Sequence, residues 1–358
     1  MPVKAAVLRA PGAPIEIASV PLAPPRAGEV EVRIAAAGVC HSDLHVVRGE
    51  WDVPMPVVLG HEGSGVVTQL GEGVTDLEVG DHVILSWVPQ CGHCRQCLSG
   101  RPWQCEVVAN VVAVKGTLLD GTSRWGDGFH HYLGVSSWAE RVVVPRSGAV
   151  KIRRDVPLDV VAIVGCAVAT GVGAVRNTAG VPPDATVGVI GCGGVGLSVI
   201  QGARLAGASR IVACDLNPAK LDVALKVGAT ETVGDASELS DLDYVFDAIG
   251  RIETTEAAIG ALALGGAAVI VGLPPSGKTA RFDPLALAEA NQRILGSNYG
   301  SIDPQQDVPW IVDLYKAEML DLDTMISGRR PLEEAAEALD DLAAGRTLRT
   351  LLTMGDMR

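Results

Sequence analysis

The chain has 358 residues, 48% hydrophobic and 20% charged, with 42 Gly but only 6 Trp, 4 Tyr and 3 Phe; this excludes disorder and coiled coil and leaves length for two domains. Its 29 Lys and Arg against 42 Asp and Glu give a net charge of −13, which opposes a phosphate backbone, and no basic run is interleaved with aromatics, so nucleic acid is not an expected partner. The first twenty residues carry no continuous apolar segment and no cleavage site, so no secretory signal is expected and the compartment is read as the reducing cytosol.

From residue 3 to 150 the chain reads as short β-rich runs, 30–34, 64–68, 81–85 and 141–144 among them, broken about every ten residues by Gly, Pro or Asp. This texture predicts an antiparallel β domain of the partly open barrel kind. Residues 160–175 form an apolar run with small side chains and predict one buried helix. Strand and helix signals then alternate: 186–190 and 195–205, 210–214 and 218–227, 243–246 and 254–264, then a strand at 267–271. That alternation predicts a parallel, doubly wound sheet, an α/β fold. Residues 331–344 predict an acidic amphipathic helix ending at Gly345, followed by a strand at 348–353. The mean hydropathy of +0.28 prompts a membrane check. Residues 185–203 are uncharged, but the glycines in their middle and the change from β-branched to helical spacing argue against a span, and no membrane partner is expected.

Eight cysteines stand at positions 40, 91, 94, 97, 105, 166, 192 and 214. Cys91, Cys94 and Cys97, with Cys105 after them, give four thiolates at the spacing that closes a tetrahedral structural zinc site; an iron–sulfur cluster or unligated core thiols use similar spacing. Cys192 and Cys214 read as small core residues. A catalytic zinc needs an open position and three protein donors, and Cys40, His61 and Cys166 are candidates that singly would read as core.

The strand at 186–190 runs into Gly191-Cys-Gly193-Gly194-Val195-Gly196 and then a helix, with Asp215 ending the next strand. In that context the motif predicts a dinucleotide pyrophosphate at a helix N-terminus, and the Asp215 carboxylate favours NAD over NADP by repelling a 2′-phosphate. Residues 272–279 also satisfy a phosphate-loop string ending in Lys278 and Thr279. Pro274 and Pro275 remove two of the N–H donors that such a loop needs, so nucleotide hydrolysis is not expected.

Residues 60–74, Gly-His-Glu-Gly-Ser-Gly-Val-Val-Thr-Gln-Leu-Gly-Glu-Gly-Val, resemble position by position the zinc signature of the zinc-dependent medium-chain alcohol dehydrogenases, and the resemblance covers essentially the whole chain. It implies a Rossmann doubly wound sheet (168–300) beside a β-rich, GroES-like catalytic domain (1–167 and 301–358), with two zinc ions per subunit and NAD. By the same resemblance Cys40, His61 and Cys166 are the catalytic zinc ligands, Cys91, Cys94, Cys97 and Cys105 the structural ones, Glu62 lies beneath the metal and Asp43 orients His61. Ser42 is implied to receive the substrate proton and pass it through the nicotinamide ribose to His45. His41, Thr170, Lys220, Val271 and Arg349 are implied cofactor contacts, with Trp51, Trp87, Leu133 and further out Asn298 lining the substrate pocket. The implied activity is interconversion of primary aliphatic, benzylic or allylic alcohols with their carbonyls. Residues 120–125 and 130–138 resemble a longer, homodimeric branch that includes S-hydroxymethylglutathione (formaldehyde) dehydrogenase, but residues 48–54 are shorter there and lack its acidic contacts. A catalytically silent zinc- and NAD-binding regulator would carry the same motifs.

Overall fold

In the computed structural model, which describes residues 2–355, the chain divides into two compact units. The first comprises the chain up to Cys166, Asp303–Ala317 and everything from Ile326; the second comprises Ala167–Ile302 and Glu318–Met325. The sequence places its boundaries at 167/168 and 300/301, and the return of Glu318–Met325 to the second unit is a crossing that its pattern does not mark.

The first unit is built on a seven-stranded sheet. Its strands run in the order Ile326–Pro331, Arg349–Thr353, Glu29–Gly38, Gly63–Leu70, His82–Leu85, Ala149–Lys151, with Arg141–Pro145 paired to Glu29–Gly38. Val30, Val32 and Ile34 pack with Val67, Val83, Leu85 and Val142 in one buried cluster, the apolar burial that the short β-rich runs encode. A four-stranded sheet, in the order Glu16–Pro21, Pro2–Leu8, Val57–Val58, His130–His131, lies in the same unit.

Two pairings correct the expectation of an antiparallel domain. Ile326–Pro331 pairs parallel with Arg349–Thr353, and Val57–Val58 pairs parallel with His130–His131. A parallel neighbour needs a crossover, and the tail helix supplies the first of them. Because Ile326–Pro331 is a strand, the helical segment begins just after it, as a 3₁₀ turn, Leu332–Glu334, that runs into helix Ala335–Ala343.

The second unit is the expected doubly wound sheet. Six parallel strands run in the order Glu231–Val233, Arg210–Cys214, Thr186–Ile190, Leu242–Asp247, Leu262–Ile270, Arg293–Gly296, which is 3-2-1-4-5-6 in chain order, the arrangement that binds dinucleotides at the reversal point. Helix Ile252–Gly260 ends earlier than its apolar pattern does, since Leu262 already belongs to the next strand. The predicted helix 160–175 is not continuous. It is a short helix, Leu158–Val161, and a 3₁₀ turn, Ala162–Gly165, before Cys166 leaves helical geometry at φ −140° and ψ −78°; Ala167–Gly173 then restarts. No single helix among the described residues is long and apolar enough to cross a membrane.

A buried polar clamp ties the loop that leads to His130–His131 back to the central strand. The Arg124 guanidinium is buried and donates to Glu29 Oε2 at 2.8 Å and Asp120 Oδ2 at 2.6 Å, and its main-chain N–H donates to His131 Nε2 at 3.1 Å. Burial, together with the Arg124 cation, holds the His131 imidazole down to about 3. An unfolded histidine titrates near 6.5, so between those values the unfolded chain binds a proton that the folded chain refuses. The contribution of His131 is therefore complete above about pH 6.5 and is lost as pH falls toward 3. Urea unfolding of the wild type and of His131→Gln at pH 6 and pH 4 should show the wild type losing more stability, by about 1.4 kcal/mol per pH unit. Equal losses in both proteins would contradict the assignment.

Candidate active site

The side chains of the first unit that could hold a metal ion at one buried point come from three separate places. Helix His41–Val47 starts directly after strand Glu29–Gly38, with Cys40 as its extended N-terminal cap. The Cys40 N–H donates to Asp43 Oδ2 at 3.0 Å, and the other Asp43 oxygen lies 3.2 Å from His61 Nδ1. One carboxylate thus fixes two donor segments.

His61 follows Gly60, whose φ of +89° and contact with Trp138, 2.3 Å from where a Cβ would sit, admit only glycine. The Ser137 N–H donates to Gly60 O at 2.9 Å, Ser137 Oγ donates to Glu62 O at 3.0 Å, and Trp138 Nε1 donates to Gly38 O at 3.1 Å. These bonds pin the loop on both sides of His61. Cys166 arrives from the break after Ala162–Gly165.

The ligand atoms of Cys40, His61 and Cys166 lie within 4.8 Å of one another, all buried. His61 Nε2 is a buried nitrogen without a protein hydrogen-bond partner, which is what a donor kept for a metal looks like. The Cys166 thiol, with Arg349 and His61 near, holds Cys40 well below the usual thiol range, and Cys166 is correspondingly pushed up. Burial would lower the His61 pKa, but the Asp43 carboxylate raises it above the ordinary value. Two sulfurs and one imidazole, with no fourth donor grouped with them among the described residues, suit a zinc site with an open position.

Around this trio the structure adds contacts that the sequence does not announce. Arg349, expected at the cofactor, is 4% exposed; its Nη1 lies 3.2 Å from Glu62 Oε2 and donates to Val39 O at 2.9 Å. Ser42 Oγ is 3.8 Å from Cys40 Sγ. His45 Nδ1 pairs with Glu50, and the ring stacks on Trp51 at 4.6 Å between centroids. Tyr132 OH donates to Ser42 O at 3.0 Å. Trp51 and Leu133 pack on the cluster that holds Leu44 and Tyr132, whereas Trp87 packs on the sheet core. His41 is exposed. Of the missed residues, only Glu50, five positions after His45, lies close enough in sequence to have been found by looking for an acid near that histidine.

The four-cysteine segment forms a second centre. Cys91, Cys94, Cys97 and Cys105 also bring their sulfurs within 4.8 Å of one another. Cys91 and Cys97 Sγ are 4.0 Å apart, near the roughly 3.8 Å edge of a tetrahedron with about 2.3 Å zinc–sulfur bonds and far from a disulfide. The Cys94 N–H donates to Cys91 Sγ at 3.3 Å and the Cys97 N–H to Cys94 Sγ at 3.5 Å. The latter bond leads in drawing the Cys94 thiol down to about 6, while burial pushes Cys97 up to about 12. Four thiolates cannot share this space without a cation between them.

In the second unit, Gly193 caps helix Gly194–Ala206, and a Cβ on Gly196 would lie 1.7 Å from Gly191 O, so helix and turn touch there. A Cβ on Gly193 would meet nothing within 4 Å, leaving room for a phosphate at the helix N-terminus. Asp215 Oδ2 accepts the Cys192 N–H at 2.8 Å and Oδ1 the Asn217 N–H at 2.9 Å. Lys220 is half-buried on helix Pro218–Val227, and Thr170 and Val271 are buried. No helix opens at Lys278, the next one being Pro284–Glu289, as expected of a string that is not a phosphate loop.

The comparisons agree with this geometry. Residues 26–154 match the alcohol dehydrogenase GroES-like domain and residues 194–317 the zinc-binding dehydrogenase domain. Benzyl alcohol dehydrogenase from Acinetobacter calcoaceticus is 32% identical, with a TM-score of 0.94 over 99% of this chain and 100% of that one. A zinc-binding dehydrogenase from Sinorhizobium meliloti, bound to NADP, is 29% identical over 99% of this chain and 100% of that one, with a TM-score of 0.83. Acetophenone reductase from Geotrichum candidum, in complex with NAD, is 25% identical over 100% and 98%, also at 0.83. Fold and donor sets together define a zinc-binding oxidoreductase. The chain belongs to the zinc-dependent medium-chain alcohol dehydrogenase family.

Removing the carboxylate that holds both Cys40 and His61 should weaken the trio without touching a donor. Asp43→Ala should bind zinc there about 10- to 100-fold more weakly, measured by competition with a chelator, while the four-cysteine centre keeps its metal. Unchanged affinity would show that Asp43 does not set the site.

Proposed function

We propose that the protein oxidises primary benzylic, allylic or aliphatic alcohols to aldehydes, reversibly, with hydride transfer to NAD⁺. The observation that carries the reading is the buried trio of Cys40, His61 and Cys166, whose ligand atoms lie within 4.8 Å of one another; three protein donors would leave a zinc ion there a position for substrate. Zinc held there would supply Lewis acidity, bringing an alcohol pKa toward neutrality as it does that of water. Ser42 takes the hydroxyl proton, and His45, its imidazole stacked on Trp51 and paired with Glu50, hands it to solvent. Glu62, beside the trio, is paired with Arg349 and so carries a balanced charge.

Asp215 supports NAD over NADP. Two main-chain N–H groups hold its carboxylate in place, where a 2′-phosphate would meet a fixed negative charge. Relatives bound to NADP and to NAD show that the family accommodates both cofactors, so the choice is read from this residue. His41, Lys220, Thr170, Val271 and Arg349 remain the proposed cofactor contacts. Trp51 and Leu133 offer an apolar wall, and one relative is named for benzyl alcohol and another for acetophenone, an aryl ketone, which favours an aromatic substrate.

We read the protein as a homodimer of the longer-chain branch. Strand Arg293–Gly296 ends its sheet; on it Ile294 is 37% exposed, and on the neighbouring strand Leu264 is 84% exposed, an edge that a second copy would cover. Six metal-binding thiols also call for a reducing compartment.

NADH absorbance over benzyl, allyl, ethyl and secondary alcohols, with and without chelator, tests the function. Turnover of benzyl alcohol that disappears with the metal is expected; full activity after verified loss of both zinc ions would overturn it. Asp215→Ala should lower the NAD/NADP ratio of kcat/KM at least tenfold, about 1.4 kcal/mol or the weight of one charged contact, and an unchanged ratio would contradict the cofactor assignment.

A further inference from the structure

Tyr132 reaches two parts of the active site at once. It follows strand His130–His131, and its ring is 1% exposed. Its place is fixed by its own turn: the Tyr132 N–H donates to Ser136 Oγ at 3.0 Å, Ser136 Oγ donates to Val58 O at 2.9 Å, and the Val135 N–H donates back to Tyr132 O at 3.0 Å. From this fixed base the hydroxyl donates to the main-chain oxygen of Ser42 at 3.0 Å. The same ring stands edge-on to His61, with 5.5 Å between centroids and 86° between planes.

We propose that Tyr132 is a positioning residue for the reaction described above: its hydroxyl sets the Ser42 peptide plane and with it the direction of the Ser42 side chain, and its ring holds the His61 imidazole in the plane that aims Nε2 at the metal. Asp43 restrains His61 at Nδ1, and Tyr132 restrains the ring's tilt. The inference rests on the alcohol dehydrogenase reading for its kinetic consequence, but its structural consequences stand apart from that reading.

Two variants separate the two contacts. Tyr132→Phe keeps the ring edge and deletes the hydroxyl; a single neutral hydrogen bond corresponds to about a threefold to tenfold effect. Amide hydrogen exchange over residues 41–47 should accelerate by that factor and kcat per bound zinc should fall by it, with KM within about twofold and zinc release to a chelator unchanged. Tyr132→Leu removes the ring as well, and zinc release from the Cys40, His61 and Cys166 site should become about tenfold faster or more, the four-cysteine zinc serving as internal standard. A role in folding alone would lower the melting temperature and zinc occupancy but leave kcat per bound zinc at the wild-type value. Wild-type exchange and kcat per zinc in Tyr132→Phe would overturn the inference, and so would wild-type zinc release in a folded Tyr132→Leu. Should Tyr132→Leu not fold, exchange in Tyr132→Phe decides. If the wild type oxidises no alcohol, the proposed function fails, while exchange and zinc release still decide the role of Tyr132.

Discussion

Asp43 accepts the Cys40 N–H with one oxygen and faces His61 Nδ1 with the other, and the rest of the first unit depends on that bridge. Burying a carboxylate is costly unless its lone pairs are used; here both oxygens have partners, and burial still leaves its pKa raised. The surrounding charges must balance as well. Asp43 and Glu62 lie in a dry region with the thiols of Cys40 and Cys166, and Arg349 is a buried cation beside them. A dication held by the trio would offset most of the charge of two thiolates and two carboxylates. The Cys40 thiol is held well below its ordinary range while Cys166 beside it is pushed up. A metal ion there would complete an electrostatic arrangement already built into the apolar core.

The second unit uses a carboxylate in the same manner for a different end. Asp215 draws in the N–H groups of Cys192 and Asn217, which joins the glycine turn to the end of the neighbouring strand. That the turn and the acid belong to one rigid piece follows from the parallel pairing of Thr186–Ile190 with Arg210–Cys214. The open space beside Gly193 and the fixed negative charge on Asp215 are then two properties of one local structure.

Local pattern made much of this legible. The glycine turn, the four-cysteine segment and the residues around His61 are contiguous motifs whose spacing carries their geometry, and the strand and helix alternation after residue 186 led directly to the doubly wound sheet. Contacts between distant segments left no such trace. Tyr132 and Ser42 are ninety positions apart, and Trp138 closes on Gly60 from another loop. Arg349 could be placed only by resemblance to the family, and the structure shows it beside Glu62. The apolar run 160–175 reads as one helix because its composition is uniform, but Cys166 departs from helical angles within it, and that break is set by tertiary geometry. The two parallel pairings of the first unit were invisible for a similar reason, since strand direction depends on the connection and not on the strand's own residues.

The central claim is that residues 40, 61 and 166 hold one metal ion, separate from the one in the four-cysteine segment. Anomalous diffraction at the zinc edge from crystals of the protein tests it most directly. Two peaks per chain are predicted, one of them about 2.3 Å from the sulfurs of Cys40 and Cys166 and about 2.1 Å from His61 Nε2. A peak in the four-cysteine segment alone, in crystals grown with excess zinc, would contradict the account.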